Sequence, residues 1–203
     1  MRATCKIDPL LTVRKPKDLV IPPVIIRVNK FNEDAVKKFT ESMEEAHGTG
    51  QPVIPIVIDS YGGQVYSLLA MMDCIKSASL PVATIVEGKA MSCGAILLTC
   101  GQDGMRFAGP NSTVLIHDVS SMEWGKVEEI KAGAAETERL NQLVYRRMAR
   151  NCGKDEEHFL TETHNRGHAD WWLTPEEAKS HGMIQHIRIP SLDLEIKAKY
   201  NFK

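Results

Sequence analysis

No apolar run in this 203-residue sequence approaches the roughly 20 residues a membrane-spanning helix needs; the longest are short segments such as Val53–Ile58. There is almost no net charge (−1), acids and bases are mixed along the chain, and no basic run stands out. The electrostatic footprint of a nucleic-acid binder is therefore missing. No C-x-x-C occurs, and the five cysteines (Cys5, Cys74, Cys93, Cys100, Cys152) are odd in number and irregularly spaced. That argues against a disulfide framework and suits a reducing cytosol. No apolar stretch follows the basic residues at the N-terminus, so no signal peptide is expected. Internal repeats and low-complexity tracts are lacking, as are G-x-G-x-x-G, a Walker lysine pattern, the G-x-S-x-G elbow and H-E-x-x-H. The expectation is a soluble cytoplasmic protein with no nucleic-acid or membrane partner, no cofactor and no metal.

What is present is the composition of an ordinary globular domain, 43% hydrophobic and 25% charged, long enough for one real core. Residues 1–22, with Pro9, Pro16 and Pro22, read as an irregular arm. Val24–Val28 reads as a strand, and Asn32 as the cap of a helix with Val36, Phe39 and Met43 on one face, ending near Gly48. A regular alternation follows: strand Val53–Ile58, helix Gln64–Ser77, strand Pro81–Val86, short helix Ser92–Thr99, strand Thr113–His117. Stacked βαβ units of this kind predict an α/β fold with a mostly parallel sheet. Lys126–Asn151 reads as a long, highly charged helix with a thin apolar stripe, which must project or pack on another chain. Helices at Asp155–His164 and Pro175–His181, and a strand at Met183–Ile189, complete the domain.

Two windows carry chemistry. In Glu87-Gly-Lys-Ala-Met-Ser92-Cys93-Gly94-Ala95, a strand leads through a tight turn to a serine in the first turn of a helix. Unpaired amides and the positive helix end beside Ser92 suit a developing oxyanion. The plainer reading is that Ser92 caps a buried helix. In Asp59-Ser60-Tyr61-Gly62-Gly63, a glycine pair between a buried strand and a helix can bring backbone amides to a ligand at the strand's C-terminal edge, or simply make a turn.

A serine nucleophile needs a base. Of seven histidines, only His117 ends an apolar run, which places it at the same sheet edge. His158, His164 and His168 cluster near Glu162, and His164-x-x-x-His168 has a metal-compatible spacing without a zinc signature; solvated loop histidines explain it more simply. For the residue that would orient the imidazole, Asp59, Asp103, Asp118 and Asp170 are available. Asp118 would point away on a continuing strand. Asp59 lies near the glycine pair, and Asp170 precedes Trp171-Trp172-Leu173, a bulky segment able to exclude water; pattern leaves these two open.

These windows resemble the Clp protease proteolytic subunit family, ClpP. The family's Ser-Pro-Gly-Gly segment appears as Ser60-Tyr61-Gly62-Gly63, and its Ala-Ser-Met-Gly-Ala nucleophile motif as Met91-Ser92-Cys93-Gly94-Ala95. Its Pro-Asn-Ser-x-Val-Met-Ile-His motif appears as Pro110-Asn111-Ser112-Thr113-Val114-Leu115-Ile116-His117. Its Asp-Arg-Phe-Leu-Ser segment is similar to Asp170-Trp171-Trp172-Leu173-Thr174, before Pro175-Glu176-Glu177-Ala178. The likeness covers a domain of about residues 23–190, between the arm and a C-terminal tail, 191–203.

The resemblance implies a ClpP/crotonase-type fold, with Ser92 as nucleophile, His117 as base and then acid, and Asp170 as third triad member. It implies an oxyanion hole from the amides of Gly63 and Cys93, and an extended peptide bound beside Gly62, Gln64 and Val65. Helix 126–151 becomes the family's handle helix, which joins heptameric rings, stacked in pairs, into a chamber. The implied activity is ATP-independent endopeptidase cleavage of unfolded proteins or peptides, with an AAA+ unfoldase or a related peptidase subunit as partner. A crotonase-like acyl-CoA enzyme and a weak or inactive ring subunit are the alternatives; the complete triad disfavours both. The sequence departs from the family in Tyr61 for proline, in a longer loop at Thr161–Ala169, and in an arm unlike the family's docking segment.

Overall fold

The computed structural model describes residues 21–191, so residues 1–20 of the expected arm and 192–203 of the expected tail lie outside the described residues. In chain order the elements are β1 (Ile26–Val28), α1 (Glu33–Gly48), β2 (Ile54–Ser60), α2 (Val65–Ser77), β3 (Val82–Met91), α3 (Cys93–Leu98) and β4 (Arg106–Ala108). They continue with β5 (Thr113–Ile116), α4 (Val127–Asn151), α5 (His158–Asn165), β6 (Trp171–Leu173), α6 (Pro175–Ser180) and β7 (His186–Ile187). Asn32 starts α1 as expected: its side chain accepts from Ala35 N at 2.9 Å, and Glu33 and Asp34 complement the positive helix end.

One seven-stranded sheet runs in the order β1-β2-β3-β4-β7 and is parallel throughout that path, while β5 pairs with β3 and β6. The fold is α/β with a predominantly parallel sheet. Ile54, Ile56, Ile58, Val82, Val86 and Ala90 meet Leu68, Met71, Leu97 and Leu98 from the helices in the main core. A parallel sheet of this kind buries near-continuous apolar strands.

β3 organises the site. Its lower part, Thr84–Val86, pairs with β4, and its upper part, Lys89–Met91, pairs with β5. Between them the register against β2 slips from Ile58↔Val86 to Ser60↔Ala90, at a bulge where Gly88 has φ 81°. Bulges bend and twist a strand, which here lets one strand serve two neighbours. The strand thus runs on to Met91 rather than stopping at Val86, and no separate turn precedes Ser92. Its polar residues stay in the strand because their partners lie on β1 and β2 of the same sheet: Glu87 pairs with Arg27 at 2.9 Å and Lys89 with Asp59 at 2.6 Å.

Other boundaries also differ from expectation. β4 and β6, three residues each, are too short to show a period of two. The last strand shrinks to His186–Ile187, and α5 begins at His158. The long helix forms as expected, and its buried residues (Leu140, Asn141, Val144, Tyr145, Met148, Ala149) all lie in its second half. The first half projects, with Val127 66% exposed, after a loop whose Met122 and Trp124 are almost fully exposed. Buried Arg106 donates to Asn151 O at 2.6 Å and to Thr99 O at 3.3 Å, joining the ends of α4 and α3. A cation suits the negative end of a helix.

Candidate active site

Ser92 follows β3 directly and stands at the start of α3 with φ 55°, ψ −122°. A non-glycine residue at positive φ is strained by roughly 1–3 kcal/mol and persists only where its surroundings over-determine it. They do so here: Ser92 N donates to Leu115 O at 2.9 Å, and Ser92 O accepts from Ala95 N and Ile96 N at 2.9 and 3.3 Å. The hydroxyl caps no helix amide, so the simple capping reading does not hold. The first-turn amides of Cys93 and Gly94 have no intrahelical acceptor.

The glycine pair is packed against this turn. Gly62 has φ 106°, and a Cβ there would lie 2.7 Å from Ser92 Cβ. Gly63 has φ 150°, and a Cβ there would collide with Phe31. The peptide after Gly63 is held from both sides: Gln64 N donates to Phe31 O at 2.8 Å, and Cys93 Sγ donates to Gly63 O at 3.3 Å. Nothing in the sequence signals that thiol contact. Burial pushes the Cys93 thiol up to about 11, so it stays protonated and able to donate.

His117 lies one residue past β5. Its Nδ1 is 2.6 Å from Asp118 O, an acceptor only, so Nδ1 carries the proton and Nε2 presents a lone pair. A cavity of about 60 Å³ is lined by Gly63, Val65, Ser92, Cys93 and His117, with Val144 and Tyr145 contributed by α4. Two larger depressions, about 700 and 400 Å³, contain none of the expected triad.

Asp170 immediately precedes β6, which is antiparallel to β5 with Ile116 opposite Trp171. Continued by one step, that register sets His117 opposite Asp170. The two side chains are not hydrogen-bonded to each other, and the exposed Asp170 carboxylate pairs with no described residue. The tryptophans cover it less than expected. Strand alternation turns Trp171 inward against Phe159 and His181, with the Arg166 guanidinium 4.0 Å from its ring centre, and leaves Trp172 56% exposed.

The rival carboxylates are engaged elsewhere. Asp59 pairs with Lys89 at 2.6 Å, and Asp103 with Arg106 at 3.5 Å and Gln185 Nε2 at 3.0 Å. The Asp118 carboxylate accepts from His168 Nδ1 at 2.6 Å and Asn141 Nδ2 at 3.2 Å, contacts that sequence spacing does not reveal.

The His164-x-x-x-His168 spacing is not helical, because α5 stops at Asn165 and His168 has φ 60°. The two rings instead meet each other at 3.3 Å. His158 and His181 also meet, at 3.0 Å, and burial lowers both below the ordinary imidazole value. His47 bridges Met43 O and Ser79 N, and His186 stacks on Phe107. Among the described residues no three His, Cys, Asp or Glu side chains converge as metal ligands, and no helix is long and apolar enough to cross a membrane.

The domain that carries these residues matches a known family. The family model for Clp protease matches residues 25–190. An ATP-dependent Clp protease proteolytic subunit 1 from Salinibacter ruber is 34% identical over 143 residues, covering 70% of this chain and 59% of that protein. An ATP-dependent Clp protease proteolytic subunit from Bacteroides thetaiotaomicron is 35% identical over 136 residues, 67% of this chain and 60% of that protein. The matched stretch spans about three fifths of the length of these curated relatives. The chain belongs to the Clp protease family.

Proposed function

We propose that this chain is a serine endopeptidase that hydrolyses unfolded proteins or peptides without itself using ATP, through Ser92, His117 and Asp170. The carrying observation is Ser92 itself. A strained serine whose hydroxyl caps no helix amide lines the same small cavity as His117, whose Nδ1 is turned to the Asp118 carbonyl. In this reading His117 Nε2 takes the Ser92 Oγ proton as Oγ attacks the scissile carbonyl, and the amides of Gly63 and Cys93 hold the oxyanion. The imidazolium then protonates the leaving amine, and water, deprotonated by the same imidazole, releases the acyl group. The substrate lies extended beside Gly62, Gln64 and Val65. Asp170 steadies the imidazolium after a side-chain rotation across the ladder step that separates it from His117.

The projecting half of α4, with exposed Val127 and Ile130 and the neighbouring Trp124, fits a handle helix that packs between chains in stacked heptameric rings. The names of the relatives, ATP-dependent proteolytic subunits, point to an unfoldase ATPase or a related subunit as partner. Cys74, Cys93, Cys100 and Cys152 are free thiols, in keeping with the cytoplasm.

A fluorophosphonate probe followed by mass spectrometry tests the reading, with Ser92→Ala as control and particle size measured in the same buffer. An adduct on Ser92 alone supports it; oligomeric, folded protein left unlabelled overturns it. One observation favours a second reading, a weak or inactive ring subunit: His117 Nδ1 is held by the Asp118 carbonyl while Asp170 stands apart. That reading requires unlabelled rings.

A further inference from the structure

The side chains of Asp118 and His168 form a hydrogen-bonded pair that no part of the proposed chemistry uses. The Asp118 carboxylate lies 2.6 Å from His168 Nδ1 and accepts from Asn141 Nδ2 on α4 at 3.2 Å, while Asn141 Oδ1 accepts from Val119 N at 2.9 Å. On its other ring nitrogen, His168 meets His164 Nδ1 at 3.3 Å. The contact has a defined place in the fold. β5 and β6 pair antiparallel as far as Ile116↔Trp171, and the next step sets His117 opposite Asp170. Just beyond it, the chain leaving β5 and the chain entering β6 would be free to splay. Asp118 and His168 join those two segments, and Asn141 anchors the junction to the buried half of α4.

The backbone is shaped for this contact. His168 has φ 60°, and the preceding Gly167 has φ 64°. Two consecutive residues in the left-handed region reverse the chain after α5 and turn the imidazole back toward Asp118. A histidine is held there against its backbone preference, a cost that glycine would avoid and asparagine would reduce. Tyr145 also faces Asp118: its phenol is pushed above its ordinary range by burial first and also by the charge of Asp118.

We propose that His168 is a positioning residue: by stapling Asp118, it holds the ends of β5 and β6 at the separation that lets Asp170 serve His117. Asp118 and Asn141 complete the staple. The proposal rests on the triad reading for its catalytic consequence, whereas the staple itself is a structural relationship that can be read without activity.

The test compares His168→Gly with His168→Asn in the full-length protein, using an unstructured fluorogenic peptide. Glycine relieves the backbone but removes the donor. Asparagine keeps an N–H donor and tolerates the left-handed conformation. His168→Gly is expected to lower kcat roughly three- to fivefold with KM nearly unchanged, the scale of one partly exposed polar contact. His168→Asn should keep at least about half of wild-type kcat, as a modest loss in the same contact allows. Equal kcat in His168→Gly and wild type, or an equal loss in both variants, overturns the proposal. Amide exchange over Trp171–Leu173 gives the activity-independent readout. Faster exchange in His168→Gly but not in His168→Asn supports the staple, and unchanged exchange in both overturns it. Failure of Ser92 to label in the wild type sinks the peptidase reading alone, and the exchange comparison still decides the staple.

Discussion

Continued one step beyond its last pair, Ile116 and Trp171, the register of β5 and β6 sets His117 opposite Asp170, yet the His117 Nδ1 proton goes to the carbonyl of Asp118. Side chains opposite one another on an antiparallel pair have Cβ atoms roughly 4.5–5.5 Å apart. In the proposed mechanism the Asp170 carboxylate covers a distance of this order by rotation about its own side-chain bonds. Until it does, the Asp118 carbonyl selects the same tautomer that the carboxylate would select. The carbonyl cannot stabilise an imidazolium as a charge can, so the difference falls on the transition state.

Asp170→Asn is therefore expected to lower kcat by up to about 10⁴-fold while KM changes little, since the charge that steadies the imidazolium is lost. Asp59→Ala, which breaks only the exposed pair with Lys89, should stay within about twofold of wild type. Steady-state kinetics on a fluorogenic peptide checks both. The reverse pattern would move the third triad role to Asp59.

Gly62→Ala tests the packing of the glycine pair on the nucleophile. The new Cβ would sit 2.7 Å from Ser92 Cβ on a residue at φ 106°, so both the turn and Ser92 must shift. A loss of roughly 1–3 kcal/mol in unfolding free energy is expected from the backbone alone, with Ser92 labelling largely lost. Denaturant unfolding and probe labelling measure the two effects separately. Wild-type stability and labelling together would show that the close approach is unimportant.

Cys93, although adjacent to the nucleophile, is expected to resist alkylation in the native protein. Burial raises its thiol to about 11, so near pH 7.5 the reactive thiolate is scarce as well as shielded. Iodoacetamide labelling mapped by mass spectrometry should modify Cys93 only after denaturant is added. Rapid native labelling at this position would contradict the burial and the Gly63 contact together.

The His158–His181 pair predicts a stability that declines on mild acidification. Burial lowers both imidazoles below 6.5, so in that window the folded chain binds fewer protons than the unfolded chain. The pair's contribution is complete above about pH 6.5 and is lost as pH falls through the lowered folded values. Because His181 packs against Trp171, tryptophan fluorescence can follow the transition. Tm should fall more steeply between pH 7.5 and 5.5 in the wild type than in the His158→Gln/His181→Gln protein; equal slopes would exclude the pair as the cause.

Much of the frame was legible in the residues because it rests on local periodicity. The cap at Asn32, the helices from Glu33 and from Val65, and the long helix ending at Asn151 are set by capping chemistry and apolar spacing. The meeting of the Gly62–Gly63, Ser92 and His117 windows at one edge follows from parallel strands whose C-terminal ends all face the same way. Strands as short as β4 and β6 carry no readable period, and their pairing is decided by the sheet they join.

By itself, the sequence determined the fold class, the serine and histidine windows, and a long helix with too little apolar surface to be buried in one chain. The tertiary structure decided which residues meet. It turned Trp171 inward and Trp172 outward, paired Asp59 with Lys89 and Asp118 with His168, and paired β5 with β6 as far as Ile116 and Trp171, the neighbours of His117 and Asp170. The reason is physical: capping and amphipathic spacing act within a few residues along the chain. A contact such as that between Asp118 and His168, 50 residues apart, exists only once β5 and β6 are in register.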